Sequence, residues 1–310
     1  VKTIFGPVHS RRFGNSLGID LSPAFKQCNF DCLYCELAPS ASVEKQKSVV
    51  EVETIINELK EHLNDKIDVI TITANGEPTL YPHLDKLIDE INKIKNSTET
   101  LILSNSSKLV DEKVFNSLLK LDQVKLSLDA ISENVFKRID RPHVGIKIEE
   151  IVQKVIEFSH VYKGKLFIEI LFVKGLNDTK EEIAKLNETL LKLHVTRIDL
   201  GTIDRPPAYP VSGLSYRELH DASLLFDSSL PIHIASRVHA EPNNRHYDDE
   251  EILNTLDKRP QTMEDINQLF DEESKKRFQH LISESKIVTK KVGNLEFFIL
   301  HENEKRKRAK

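Results

Sequence analysis

Hydrophobic positions along the chain fall into two alternating rhythms. Short apolar runs rich in Ile, Val, Leu and Thr recur at 17–21, 69–73, 100–103, 124–128, 166–173 and 197–203. Runs of this length and composition predict β-strands. Between them lie longer stretches at 50–63, 83–94, 111–119, 148–162 and 179–193 whose apolar residues recur at helical spacing. In the first, Val52, Ile55, Ile56, Leu59 and Leu63 fall on one face, which predicts an amphipathic helix.

Strand–helix repetition with short links predicts a parallel sheet covered by helices. About six such units predict an α/β fold, a partial (β/α)6 TIM-type barrel and not a closed eight-fold one. Near Asp248 the rhythm changes. Residues 262–270 and 273–284 read as short helices, and 287–292 and 295–300 as strands around Gly293-Asn294, a hairpin signal. Helix, helix, hairpin outlines a small C-terminal winged-helix domain. The expected division is a barrel over 1–245, a winged-helix-like domain over 246–300 and a frayed basic tail over 301–310. No internal repeat or low-complexity segment is seen.

Composition changes this picture in three places. The 310 residues are 39% hydrophobic, enough for a large core and a small second one. No stretch approaches the roughly 20 apolar residues of a membrane span. The opening VKTIFGPVHSRRFG has a Pro and no apolar h-region, so it is not expected to be a signal peptide. The net charge of −5 is unevenly spread: from Lys258 onward thirteen Lys/Arg face nine Asp/Glu, so the preceding body carries −9. A basic end on an acidic body hints at an anionic partner.

All three cysteines, Cys28, Cys32 and Cys35, lie within eight residues. An odd number so tightly spaced makes a poor disulfide framework and fits a reducing, cytoplasmic compartment. Gaps of three and two residues let one loop wrap three thiolates around an inorganic cube, leaving one iron open to a small chelating ligand. A zinc site completed by a ligand such as His9, or buried structural thiols, are the alternatives on spacing alone.

Here the sequence resembles the radical S-adenosylmethionine (radical SAM) superfamily, whose CxxxCxxC loop is matched by Cys28, Cys32 and Cys35. The resemblance implies a [4Fe-4S] cluster and S-adenosyl-L-methionine as cofactors. It places Tyr34, before the last cysteine, against adenine. Asn75-Gly76-Glu77-Pro78 looks like the family's GGEP motif with Asn for the first Gly, and would receive the methionine ammonium. Asn105 in Ser104-Asn105-Ser106, and Ser127 and Asp129 in Ser127-Leu128-Asp129, resemble positions that meet ribose and carboxylate; both trios also suit helix caps. Arg138 and Arg141 follow, and a cation here would clamp the methionine carboxylate, with a surface ion pair as the alternative. Glu169, inside an apolar strand, needs a partner, cofactor or substrate. Asn177 and Asp178 read as a turn and cap.

Residues 6–20 and Asp204-Arg205-Pro206-Pro207-Ala208 resemble a bacterial and archaeal Fe–S oxidoreductase group related to wyosine-type tRNA-modifying enzymes. This chain has no cysteines left for the second cluster of the wyosine synthases, so their pyruvate chemistry is not carried over. Arg11, Arg12 and Arg205 are expected as substrate-side anion clamps, with structural ion pairs as the alternative. The resemblance implies one-electron reductive cleavage of S-adenosylmethionine to a 5′-deoxyadenosyl radical that abstracts hydrogen from a substrate. It also implies a one-electron donor of the flavodoxin or ferredoxin type. No residue is assigned as an acid–base catalyst. RNA, above all tRNA, is the first substrate class expected, through Lys290, Lys291 and 305–308. The alternatives are a peptide, protein or small metabolite, and a non-catalytic Fe–S regulator that binds DNA.

Overall fold

The computed structural model describes residues 2–10, 13–234, 246–258, 260–292 and 295–304. Arg11, Arg12, the Gly293-Asn294 turn and the basic run 305–308 lie outside the described residues.

One sheet organises the larger part of the chain. Its strands are β1 (Ile4–Ser10), β2 (Gly14–Asp20), β3 (Val69–Thr73), β4 (Glu99–Ser104), β5 (Gln123–Ser127), β6 (Lys165–Phe172), β7 (Arg197–Thr202) and β8 (Ile232–Ile234). They neighbour one another in sequence order. β2 to β8 are parallel, and β1 is antiparallel to β2. The helices are α1 (Val52–His62), α2 (Leu84–Ile94), α3 (Glu112–Leu118), α4 (Glu133–Ile139), α5 (Ile148–Val161), α6 (Lys180–Leu190) and α7 (Tyr216–Ser223). A sheet wound in one direction with a helical crossover at each step curls toward a barrel. This one stays open, since no pairing joins β1 to β8 among the described residues.

The pleat sorts the side chains. Leu17, Ile19, Ile70, Ile72, Ile102, Val124, Leu126, Ile168, Ile170, Ile198 and Leu200 are fully buried on the helix-facing side. Against them pack Val52, Ile55, Ile56 and Leu59 of α1 and Leu84, Leu87, Ile88 and Ile91 of α2. The alternate positions face the inside of the curled sheet and are largely polar: Ser16, Thr71, Lys125, Ser127, Glu169 and Asp199. A polar inner face is what a barrel with a binding lumen needs.

The sheet exceeds the six expected units by two strands. β1 carries Gly6-Pro7 and a register break between Phe5 and Val8, so its pattern is not a clean alternation. β8 has three residues, too short to register as a run. Helices α4 and α7 are likewise short, at seven and eight residues.

A second core begins at Tyr247. It joins Ile252, Leu253, Leu256, Ile266, Phe270, Phe278, Leu281, Ile287, Phe298 and Leu300. Its elements are α8 (Asp249–Lys258), β9 (Gln261–Thr262), α9 (Met263–Leu269), α10 (Glu272–Ser283), β10 (Ile287–Val292) and β11 (Leu295–Leu300). The three strands form an antiparallel sheet in the order β10-β11-β9. Thr262 and Asp265 close a reciprocal capping box at the start of α9. Helix α8 and strand β9 were not expected. The unit touches the larger one where the Tyr247 hydroxyl donates to the Pro7 carbonyl at 3.4 Å. Among the described residues no helix is long and apolar enough to cross a membrane.

Gly18 lies under the Phe5 ring of β1: a Cβ there would sit 2.1 Å from the ring. Gly18→Ala should therefore destabilise the chain by about 1–3 kcal/mol through overpacking. Adding Phe5→Ala to that variant should recover part of the loss. Urea unfolding midpoints of the two variants check this; an unchanged midpoint for Gly18→Ala would show that Phe5 does not seat on β2.

Candidate functional site

The three cysteines sit on the loop between β2 and α1, and two flanks of backbone hydrogen bonds hold that loop. On one flank Gln27 N–H donates to the Asn75 carbonyl at 2.9 Å, and Glu77 N–H donates to the Gln27 carbonyl at 3.0 Å. Gly76 has φ +133°, and a Cβ on it would lie 2.0 Å from the Gln27 oxygen, so only glycine permits the approach. On the other flank Asp31 N–H reaches the Asp140 carbonyl at 3.1 Å, Leu33 N–H the Ile139 carbonyl at 2.9 Å, and His143 N–H the Asn29 carbonyl at 2.7 Å.

Buried side chains reinforce the loop. The Gln27 amide donates to Ser22 Oγ and the Ser48 carbonyl, both at 2.9 Å, and accepts from Lys47 N–H at 2.6 Å. Asn29 donates to Ser107 Oγ at 2.7 Å and accepts from Asn105 Nδ2 at 2.9 Å. Asp20 Oδ1 accepts from Ser22 N–H at 2.9 Å and Asn75 N–H at 2.8 Å. These three polar residues were absent from the expected set. Their signal in the sequence is only that they flank the cysteines or end a strand.

Burial pushes all three thiols up, Cys28 to about 12, with the Glu77 charge adding to the effect there. The Phe30 N–H, 3.4 Å from Cys28 Sγ, and the Lys26 ammonium act the other way. Cys28 feels the charge of Cys35, and Cys32 that of both other thiols. Such thiols lose their protons only to a bound cation or cluster. Among the described residues no three His, Cys, Asp or Glu side chains converge as one metal ion requires. The His9 side chain, the alternative fourth ligand of a zinc site, lies outside the described residues. Three thiols carried on one loop fit a cluster held at three corners.

Beside this loop lies a small, partly open cleft lined by Phe30, Tyr34, Asn105, Ser127, Asp129, Phe136 and Asp140 among others. Four of the expected residues meet here: Tyr34, Asn105, Ser127 and Asp129. The Tyr34 hydroxyl donates to Asp129 Oδ2, and Asp129 Oδ1 accepts from Leu171 N–H at 2.7 Å. Asp140, which was not expected, lies 3.5 Å from both Tyr34 Oη and Cys32 Sγ. Burial raises the Asp129 carboxyl to about 7, with the Glu169 charge pushing the same way and the Leu171 and Tyr34 bonds opposing. Asp140 is raised well above its ordinary range by burial and then by Asp129. Asn177 is fully buried and does more than turn the chain: its amide donates to the Asp129 and Leu171 carbonyls, each at 2.9 Å. Asp178 accepts from Gly175 N–H at 2.8 Å and Thr179 caps α6, as a turn-and-cap segment should.

Glu77 is 2% exposed. Its carboxylate accepts from Thr79 N–H at 3.0 Å, Thr79 Oγ1 at 2.5 Å, Ser104 Oγ at 2.9 Å and Asn105 N–H at 2.8 Å. It braces the turn after β3 against the end of β4. Arg138 is exposed on α4 and does not line the cleft. Arg141 instead approaches the cysteine loop, 3.4 Å from Asp31 and 4.6 Å from the centre of the Tyr209 ring. Arg205 pairs with Glu36 at 2.9 Å. Next to it Ala208 N–H donates to the Cys35 carbonyl at 2.7 Å, and the Tyr209 hydroxyl to Asp31 at 2.5 Å. The segment after β7 is therefore a strap across the cysteine loop, with Arg205 as one fastener.

The chain belongs to the radical SAM superfamily: the family model described as Radical SAM superfamily matches residues 23–187. Enzymes of this superfamily work with a [4Fe-4S] cluster and S-adenosylmethionine. Among individual proteins, the chain is 42% identical over 299 residues to the UPF0026 protein of Helicobacter pylori strain J99, spanning 95% of this chain and 96% of that protein. Two solved structures share the fold. TYW1 with a lysine-pyruvate adduct bound is 20% identical with a TM-score of 0.51, covering 69% of this chain and 74% of that one. Streptococcus suis SuiB bound to precursor peptide SuiA is 16% identical with a TM-score of 0.56, covering 71% and 48%.

The raised Asp129 carboxyl carries a pH consequence. Its folded value of about 7 exceeds the ordinary 3.8, so the folded chain keeps that proton longer than the unfolded chain. The associated stability is full below about pH 4 and is lost as the pH rises to about 7. The melting temperature of the cluster-free protein should fall between pH 5 and pH 8. Asp129→Asn should fall less, and an equal drop would show that Asp129 is not the buried acid.

Proposed function

We propose that Cys28, Cys32 and Cys35 hold the [4Fe-4S] cluster and that the adjoining cleft takes S-adenosylmethionine. The observation that carries this reading is the cysteine loop fastened by backbone bonds to the Gly76-Glu77 turn, with Tyr34, Asn105, Ser127 and Asp129 gathered beside it. When bound, these groups supply one-electron cleavage of the sulfonium and a carbon-centred radical that takes hydrogen from a substrate.

The chain's own residues orient and shield. Tyr34 presents an aromatic edge with its hydroxyl fixed by Asp129. Ser127 and Asn105 offer donors and acceptors suited to a ribose and an amino acid. Glu77 fixes the turn, so that Asn75 and Gly76 present their backbone to the methionine end. Lys26, its side chain 8% exposed, brings positive charge toward the thiolates. The strap fastened by Arg205 and Tyr209 limits the access of water and oxygen. Arg11 and Arg12 are the substrate-side anion clamps of this reading, while Arg205, paired with Glu36, takes the structural alternative. The electron donor is a flavodoxin- or ferredoxin-type protein in the cytoplasm, a compartment consistent with three unpaired thiols.

The substrate class is RNA, above all tRNA. In support stand the wyosine-type resemblance of residues 6–20 and 204–208, the basic C-terminal end, and the outline of the second unit. That unit reads as a winged helix: α8, α9 and α10 on one side, and a hairpin of β10 and β11 carrying Lys290 as the wing. The organisation is a catalytic barrel over 1–245, a docking domain over 246–300 and a basic tail over 301–310.

Two experiments decide. Replacing any one of the three cysteines by Ala should abolish both the visible absorbance of the reconstituted cluster and anaerobic formation of 5′-deoxyadenosine; a variant forming it at the parent rate refutes the ligand assignment. In a gel shift with bulk tRNA, binding should be present at low salt and fall steeply as salt rises. No shift at low salt would turn the reading toward a peptide or small metabolite.

A further inference from the structure

The cysteine loop carries a buried cation of its own. Lys26 comes two residues before Cys28, and its side chain is buried. Its ammonium donates to the Ala38 carbonyl at 3.3 Å and stands 3.7 Å from Asp31 Oδ1. One ammonium is thus held between residues 31 and 38, a span that contains Cys32 and Cys35. It acts on the Cys35 thiol through its charge and its N–H donors, against the burial that raises that thiol, and through its charge on Cys28.

The geometry is not that of an ordinary ion pair. A separation of 3.7 Å is too long for a hydrogen bond, and Asp31 Oδ1 is itself buried without a hydrogen-bond partner among the described residues. Asp31 spends its other oxygen on the Tyr209 hydroxyl at 2.5 Å and faces Arg141 there at 3.4 Å. An ammonium has three donors, and Ala38 takes one. The loop therefore holds Lys26 by charge from the Asp31 side and leaves donors for sulfur. The nearby arginines are placed differently: Arg141 lies over the Tyr209 ring, and Arg205 pairs with Glu36.

We infer that Lys26 is a positioning residue that sets the reduction potential of the cluster, its ammonium favouring the reduced form and so easing electron uptake from the donor protein. Reduction takes one electron from the flavodoxin- or ferredoxin-type donor and adds one negative charge at the three thiolates and the inorganic core they hold. A positive charge fixed in a poorly solvated place beside them stabilises the product of that step more than its reactant. N–H groups directed at sulfur act in the same direction. The sign does not depend on how the other charges nearby balance, because the comparison is of one site with and without a single charge. Lys26 does not line the cofactor cleft, so its effect is separable from the binding of S-adenosylmethionine.

The inference rests on the [4Fe-4S] assignment, and its test separates the two. Full-length protein is reconstituted anaerobically without S-adenosylmethionine and poised at a series of potentials, and the reduced cluster is read by electron paramagnetic resonance. Lys26→Met, of similar length and without charge, should lower the equilibrium constant for reduction at least about tenfold, a fall of about 59 mV or more for a one-electron couple. Lys26→Arg, which keeps the charge, should stay within about threefold of wild type. Lys93→Met, which removes the same charge from the exposed side of α2, should leave the potential unchanged. An unshifted or raised potential in Lys26→Met overturns the inference, as does an equal fall in Lys26→Arg or Lys93→Met. Should Lys26→Met take up no cluster, Lys26→Gln is titrated in its place; loss of the cluster from both overturns the inference in favour of a role in assembly. Wild type without a cubane spectrum overturns the ligand assignment and this inference with it, whereas a wild-type cubane whose potential Lys26→Met leaves unshifted overturns the inference alone.

Discussion

The contact between the Gln27 carbonyl and the backbone of Gly76-Glu77 is the constraint on which the site depends. It joins a long loop with little regular structure to the end of a fully buried strand. Without it the three thiols would ride on a segment whose ends are about thirty residues apart in sequence. The absence of a side chain at residue 76 lets the two backbones approach to bonding distance. Everything polar around the cysteines then has a fixed address: Asn29 against Ser107 and Asn105, Glu77 against Ser104, Asp31 against the strap.

Much of the architecture was legible in the sequence, and the reasons are physical. Strands β3, β10 and β11 begin and end where their apolar runs do, because each run is bounded by residues that suit turns. The buried face of α1 is the apolar stripe read at helical spacing. What escaped lacks such contrast: β1 is interrupted by Gly6-Pro7, β8 has three residues, and α7 has a polar sequence of eight residues anchored by its capping box.

The site was legible in a different measure. The cysteines, Tyr34, Asn105, Ser127 and Asp129 carry motif positions at strand ends, and the fold brings them together. Asp140 and Tyr209 carry no motif, and only the chain's path makes them neighbours of Cys32 and Asp31. Glu77 and Arg205 illustrate a subtler limit. Sequence marks a charged residue near the cofactors but not the protein partners that already engage it, four donors for one and Glu36 for the other.

Strand β1 has a further consequence. It is the first strand of the sheet order, and an edge strand is the kind of surface that recruits foreign strands unless it is covered. On its far side the second unit reaches it through the Tyr247 hydroxyl, which donates to the Pro7 carbonyl. That unit is therefore also a guard for a raw β-edge, and a chain shortened before Tyr247 would keep its cysteines yet gain a sticky margin.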